Sequence, residues 1–180
     1  MANMTWDYDE MSGRYLVKGA RLRFPNFDGA EQDYNMKGKR NFRLVLDEAL
    51  AREIKDRGVY VKERMVPGED EETEYTVKIG VYADADIRLL SGRTMQKMTI
   101  LGAKDRDEHP RDDDGAVIDR EFQKGHVVNG DIDLEFHVSK NTKVAASSPY
   151  VRLDTAIIPI RKSRLLSEYE DYEDDAPFDE

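Results

Sequence analysis

From residue 14 to residue 158 the chain is built largely of short stretches in which apolar and polar side chains alternate, the period of a half-buried β-strand. In Arg14–Phe24 (RYLVKGARLRF) one parity holds Leu16, Ala20, Leu22 and Phe24, and the other holds Tyr15, Val17, Arg21 and Arg23. Lys18 interrupts the first set beside Gly19, which predicts a bulge there. Pro25 ends the strand, and Asn26 to Lys39 reads as a connection. Arg40 to Leu46 repeats the pattern, with Phe42, Leu44 and Leu46 on one face and Asn41, Arg43 and Val45 on the other. By parity Phe24 and Phe42 are core residues. Asp47 is a suitable N-cap for a helix over Glu48–Arg57, whose Leu50, Ala51 and Ile54 form an apolar stripe, and Gly58 is placed to end it.

Further strands are predicted at Val59–Met65, Tyr75–Tyr82, Asp131–Val138 and Tyr150–Ile158, the last halted by Pro159. Ile87–Leu90 and Thr94–Leu101 flank Ser91-Gly92-Arg93, a hairpin turn. Asp105 to Gly115 reads as a polar, mobile excursion, and Ala116–Gln123 as a short helix. Roughly six or seven strands with one helix between the second and third, and uneven loops, point to an antiparallel barrel, with a β-sandwich as the alternative. No internal repeat is visible.

Charge changes this picture. The chain has 38 acidic and 28 basic residues, a net charge of −10. Eight of the acids lie in the last thirteen residues, Glu168–Glu180 (EYEDYEDDAPFDE), which contain no base. Without those eight, 30 acids face 28 bases, so the body is close to neutral. Such a run cannot fold alone, because like charges repel and only Tyr169, Tyr172 and Phe178 offer apolar surface. Within the body the charges are segregated. Met11–Phe27, Tyr34–Leu46, Ile87–Lys104 and Phe136–Leu153 hold fifteen bases and no acid. Strand propensity disfavours Lys as well as Asp and Glu, so retention of the bases alone favours a positively charged sheet face.

Several function classes lack their residues. The chain has no cysteine, hence neither disulfides nor thiolate metal sites. No apolar run approaches the roughly 18–20 residues of a membrane-spanning helix, and the N-terminus MANMTWDYDEMSG has acids where a signal peptide carries bases, so a cytoplasmic protein is expected. His109, His126 and His137 have no metal-ligand spacing. Asp112-Asp113-Asp114-Gly115 fails as a calcium loop, because a glycine at the sixth position places Pro110 first, where a carboxylate is required. No phosphate-binding glycine loop or nucleophile elbow occurs. The reading is a binding protein, not an enzyme, with no cofactor and no metal. A metal-dependent nuclease using Asp105, Asp107 and Asp112–Asp114 is the enzymatic rival. An acidic mimic of DNA acting on a host nucleic-acid enzyme is the rival among interaction modules.

Aromatic residues interleave with the bases: Phe24 and Phe27 follow Arg21 and Arg23, Tyr34 and Phe42 bracket Lys37, Lys39 and Arg40, Tyr60 neighbours Lys62, and Tyr82 shares a face with Lys78. Single-strand binding needs this pairing, since cations follow phosphates and exposed rings stack on bases, each stack worth about 1–3 kcal/mol. The candidate contacts are Arg21, Arg23, Phe27, Tyr34, Lys37, Lys39, Arg40, Arg43, Tyr60, Lys62, Lys78 and Tyr82. No repeated base-reading helix argues for sequence-specific duplex recognition.

Over Gly19–Ile158 the chain resembles the single-stranded DNA-binding proteins of tailed bacteriophages. The resemblance is carried by FPNFDG (Phe24–Gly29), GKRNFRLVLDEALAREIKDRG (Gly38–Gly58), YTVKIGVY (Tyr75–Tyr82) and the late strands. It implies a mainly β, OB-fold-like antiparallel Greek-key barrel with one inserted α-helix, followed by a disordered acidic tail. Asp174-Asp175-Ala176-Pro177-Phe178 is similar to the Asp-Asp-x-Pro-Phe ending of bacterial single-stranded DNA-binding proteins, where it recruits replication and repair partners. Here Asp179 and Glu180 follow the phenylalanine. The organisation expected is a flexible segment at 1–13, the binding domain at 14–163 and the tail at 164–180. The partners expected are single-stranded DNA, replication or recombination proteins captured through Asp174, Asp175, Pro177 and Phe178, and a second copy of the chain in a homodimer.

Overall fold

The computed structural model describes residues 4–32, 35–68, 72–140 and 148–161. Tyr34 and the tail with Asp174, Asp175, Pro177 and Phe178 lie outside the described residues. The elements are β1 (Thr5–Asp9), β2 (Arg14–Ala20), β3 (Leu22–Asn26), β4 (Asn41–Leu46), α1 (Glu48–Asp56), β5 (Lys62–Val66), β6 (Glu72–Gly80), β7 (Asp86–Ser91), β8 (Thr94–Met98), α2 (Ala103–Glu108), α3 (Gly115–Gln123), β9 (Ile132–Ser139) and β10 (Tyr150–Pro159). The fold is mainly β, and α1 sits between β4 and β5 as the sequence predicts. Asp47 caps α1, accepting from the Leu50 N–H at 2.7 Å. Leu50, Ala51 and Ile54 are its buried stripe.

The strands form one open, mixed sheet in the order β1-β2-β9-β10-β6-β4-β3, with β5 also on β6, β7 also on β10, and β8 on β7. Two pairings, β10 with β6 and β10 with β7, are parallel; the others are antiparallel. β10 reaches both parallel neighbours by changing partner along its length. Val151 and Arg152 lie beside β6, whereas Thr155–Pro159 lie beside β7. The pairing of β10 with β9 shifts register between Leu153 and Thr155, and a bulge bends a strand at such a point.

Two irregularities re-sort the faces of the N-terminal strands. In β2 the register with β9 shifts between Val17 and Ala20, at the predicted bulge, where Gly19 takes a φ of 71°. The core therefore receives Tyr15 and Val17 before the bulge and Ala20 and Leu22 after it, and Leu16 faces solvent. In β3 the register with β4 shifts between Arg23 and Asn26, and Phe24 holds a φ of 52°. A left-handed backbone costs a non-glycine residue about 1–2 kcal/mol. That turn inverts the expected assignment: Phe24 is 70% exposed and Phe27 is 1% exposed. The Phe27 ring stacks between Phe42 (centroids 5.5 Å apart) and Phe122 (6.0 Å). Phe27 is a core residue, a correction to its place among the stacking candidates.

The described part of the segment before residue 14, residues 4–13, is not separate from the body. β1 pairs with β2 from Thr5–Lys18 to Asp9–Arg14, and Trp6 and Tyr8 pack against the core. The polar run 103–123 is likewise docked, as α2, a 3-10 turn at Pro110–Asp112 and α3. Arg106 donates to the Asp28 carboxylate and carbonyl, and Asp119 accepts from the Phe27 and Asp28 N–H groups at 2.8 and 2.9 Å. Burial pushes the Asp119 carboxyl pKa above its ordinary value, against the opposing pull of those two donors. A Cβ at Gly115 would stand 2.0 Å from the Phe27 carbonyl oxygen, so α3 can approach this loop only with a glycine at its first position.

Candidate nucleic-acid interface

On the outer face of β4, Asn41, Arg43 and Val45 alternate with the buried Phe42, Leu44 and Leu46. Register then decides what stands beside them. Arg43 is opposite Arg23 of β3 on one side and Lys78 of β6 on the other, a row of three cations across adjacent strands. The next rows are Val45–Thr76–Lys62 and, between β6 and β5, Glu74–Arg64. Like charges directly opposite one another destabilise a sheet. A strand set that keeps such a row is suited to a polyanion.

The cations differ in what they meet. Glu74 is the carboxylate of this face, and it draws three guanidinium groups. Arg23 is bidentate to it (Nε 3.3 Å, Nη2 3.1 Å), and Arg21 and Arg64 approach to 3.6 Å. The Arg23 hydrogen bonds, with burial opposing and the neighbouring guanidinium charges assisting, hold the Glu74 carboxyl below its ordinary pKa. Arg21 and Arg23 are therefore partly neutralised within the protein. They line a different cavity, with Glu72, Glu74 and Asp47 on its walls. Among the described residues Arg43 keeps only a long hydrogen bond to the Thr76 hydroxyl at 3.5 Å. Among the described residues no carboxylate pairs with Arg43 or Lys78.

Arg43 and Lys78 open into a groove of about 750 Å³ that also receives Lys37, Lys39, Arg40, Tyr60, Tyr82 and Tyr150. None of the described residues lining it is acidic. Lys37 and Lys39 stand exposed on the loop before β4. Tyr60 is 76% exposed and Tyr82 41% exposed, so the rings are offered to a ligand rather than spent in the core. The structure thus gathers Lys37, Lys39, Arg43, Tyr60, Lys78 and Tyr82 at one groove. Lys62 lies on the same sheet face, beside Thr76, and outside the groove lining.

Arg40 is the further correction. Its side chain is buried in the groove floor, where it bonds Asp113 at 2.5 Å and the Leu101 carbonyl. Burial pulls its pKa below the ordinary value, with Asp113 opposing. This guanidinium ties α2–α3 to β4 and is not available to a phosphate. The partner carboxylate is 73 positions away in sequence, so an acid-free window around Arg40 gave no hint of it. Asp113 and Asp114, which accepts from the Thr99 N–H at 2.7 Å, are structural acids. Among the described residues no group of three or more His, Asp or Glu side chains is placed to hold a metal ion.

Sequence reasoning missed three residues of this surface. Arg64 follows Lys62 by two positions and so shares its face, a signal present in the KERMV pattern. Tyr150 and Arg152 are the two outward positions that open β10. Phe24, which parity places in the core, is exposed because of the backbone turn after Arg23.

No curated protein matches the chain. Solved structures similar to it include two of a bacteriophage protein. One is the single-stranded DNA-binding protein from bacteriophage Enc34 in a C-terminally truncated form, with 10% identity and a TM-score of 0.49 over 89% of this chain and 97% of that one. The other is the same bacteriophage's single-stranded DNA-binding protein, with 10% identity and a TM-score of 0.46 over 89% of this chain and 90% of that one. The model of the phage ssDNA-binding domain family matches residues 7–101, more than half of the 180 residues and the whole stretch that supplies Arg43, Tyr60, Lys78 and Tyr82, and the chain belongs to that family.

Proposed function

We propose that this protein coats single-stranded DNA without sequence specificity, holding the backbone on Lys37, Lys39, Arg43 and Lys78 and stacking bases on Tyr60 and Tyr82. One observation carries the reading: Arg43 and Lys78 stand directly opposite each other, without a carboxylate partner among the described residues, at the mouth of a groove edged by exposed tyrosines. Lys62 and Arg64 extend the same chemistry across the sheet face. Binding of this kind needs no cofactor and no catalytic group. Membership of a phage ssDNA-binding family supports action in phage DNA replication or recombination in the host cytoplasm.

The acidic terminus has two roles in this reading. Thirteen extended residues reach at most about 43–47 Å, enough to cross one small domain and compete for the groove. Asp174, Asp175, Pro177 and Phe178 offer an acidic-aromatic motif to replication or recombination proteins. Deleting Glu168–Glu180 is expected to tighten single-strand binding, with a gain that shrinks as salt rises. Equal affinity with and without the tail at low salt removes the self-competition.

The direct test is anisotropy of a labelled oligo(dT) titrated with the protein at two salt concentrations, beside a duplex of the same length. The reading predicts saturable binding that weakens with salt and favours the single strand. An oligonucleotide left unbound at low salt contradicts it and is the result expected of an acidic DNA mimic.

A further inference from the structure

Tyr82 differs from Tyr60 in that one face of its ring is occupied. The Arg152 guanidinium carbon lies 4.1 Å from the ring centroid, within the range of a cation–π stack. Arg152 Nη2 donates to both oxygens of Asp84 at 3.1 Å. Beneath the ring lies Gly80, where a Cβ would come to 2.9 Å from Tyr82 Cε2, so this close approach depends on the glycine. Register puts the guanidinium there, because Arg152 of β10 is the direct neighbour of Gly80 in β6. Ring, guanidinium and carboxylate form a short stack beside the groove, with Asp84 72% exposed at its outer end.

Each part has a counterpart in a nucleotide. A planar guanidinium on an aromatic face occupies the place a base takes when it stacks. A carboxylate on a guanidinium occupies the place a phosphate takes. An ion pair this exposed is held weakly, so a polyanion can displace the carboxylate.

We propose that Tyr82 is a masked base platform, with Arg152 as its cover and Asp84 as the anion that holds the cover in place. This rests on the single-strand reading above and adds two residues to it. A strand entering the groove brings a phosphate to Arg152 in place of Asp84. The guanidinium swings with that phosphate, and the exposed face of Tyr82 receives the adjoining base. Arg152 is then a phosphate ligand in the bound state, and Asp84 sets a threshold that short or weakly charged ligands do not pass.

The test is oligo(dT) affinity of the full chain for Asp84→Asn, Arg152→Gln and the double variant. Asp84 is exposed, so Asp84→Asn is expected to keep the wild-type melting temperature. It should bind up to about fivefold more tightly at low salt, because the variant has no exposed ion pair to break before the strand enters. Its slope of log affinity against log salt should match that of wild type, because Arg152 meets a phosphate in both complexes, whereas Arg152→Gln should make the slope shallower by about 0.7, one phosphate contact on a single strand. In the Arg152→Gln background the Asp84→Asn gain should disappear, because the carboxylate has no guanidinium to hold. A gain of the same size in that background shows that Asp84 merely repels DNA at a distance, and overturns the proposal. No gain in either background, with wild-type binding intact, overturns the masking alone. Failure of both wild type and Asp84→Asn to bind oligo(dT) overturns the single-strand reading together with it.

Discussion

The groove and the docked segment 103–123 both set arginine or lysine beside aromatic rings, yet they meet opposite fates. Around α2 and α3 two arginines and a ring are consumed internally. Arg40 bonds Asp113, Arg106 bonds Asp28, and Phe27 stacks between Phe42 and Phe122. In the groove Arg43 and Lys78 stand side by side without a carboxylate among the described residues, and Tyr60 is largely exposed. Both places hold cations and rings, but the docked segment also carries carboxylates, among them Asp113 and Asp119. What separates a structural cluster from a ligand site is whether a distant part of the chain returns a carboxylate or another ring to it.

Breaking the paired region should hurt stability first. Arg40→Ala leaves Asp113 buried and unpaired, and Asp113→Ala does the converse. Either is expected to destabilise the fold by about 3–5 kcal/mol, read from urea denaturation. Loss of oligo(dT) affinity by the folded variant with full stability retained would instead place Arg40 in the interface. Phe27→Ala should cost a comparable ~3–5 kcal/mol through the cavity it opens between two rings.

The groove should respond in the other way. Tyr60→Ala is expected to weaken oligo(dT) binding by about 1–3 kcal/mol, one base stack, and to leave the melting temperature within error. A drop in melting temperature with unchanged affinity makes Tyr60 a packing residue.

The smallest effect is at the boundary between the two regions, where Glu74 gathers Arg21, Arg23 and Arg64. Its carboxyl is held below its ordinary value of 4.5, chiefly by the hydrogen bonds from Arg23. The unfolded chain then takes up this proton at a higher pH than the folded one. The contribution to stability is present above about 4.5 and is lost as pH falls through the lower folded value. Melting curves across that range should show a steeper acid loss for wild type than for Glu74→Gln. Parallel curves would mean that the three arginines do not grip this carboxylate.

Local pattern carried much of the fold. The alternation in β4 and β6, the Asp47 cap and the bulge at Gly19 are all local signals, and the structure has each where the residues place it. Two features depended on information the local pattern lacks. Parity could not assign Phe24 and Phe27, because a backbone turn at Phe24 inverted the faces after Arg23. The parallel neighbours of β10 come from partners 69 to 72 positions earlier, beyond any periodicity. The site divides in the same manner. Lys37, Lys39, Arg43, Tyr60, Lys78 and Tyr82 were legible as bases and rings on solvent-facing positions. The neutralisation of Arg21, Arg23 and Arg40 was not, since Glu74 and Asp113 arrive from 51 to 73 positions away.

The claim beneath the account is that Arg43 and Lys78 are left without internal carboxylates so that phosphates can take that place. Oligo(dT) affinity measured across a salt series for wild type and for Arg43→Gln/Lys78→Gln tests it most directly. The account predicts a slope of log affinity against log salt shallower by about 1.4 in the double variant, two phosphate contacts at about 0.7 each. It also predicts equal or slightly higher stability, because the like-charge row is relieved. An unchanged slope would contradict it.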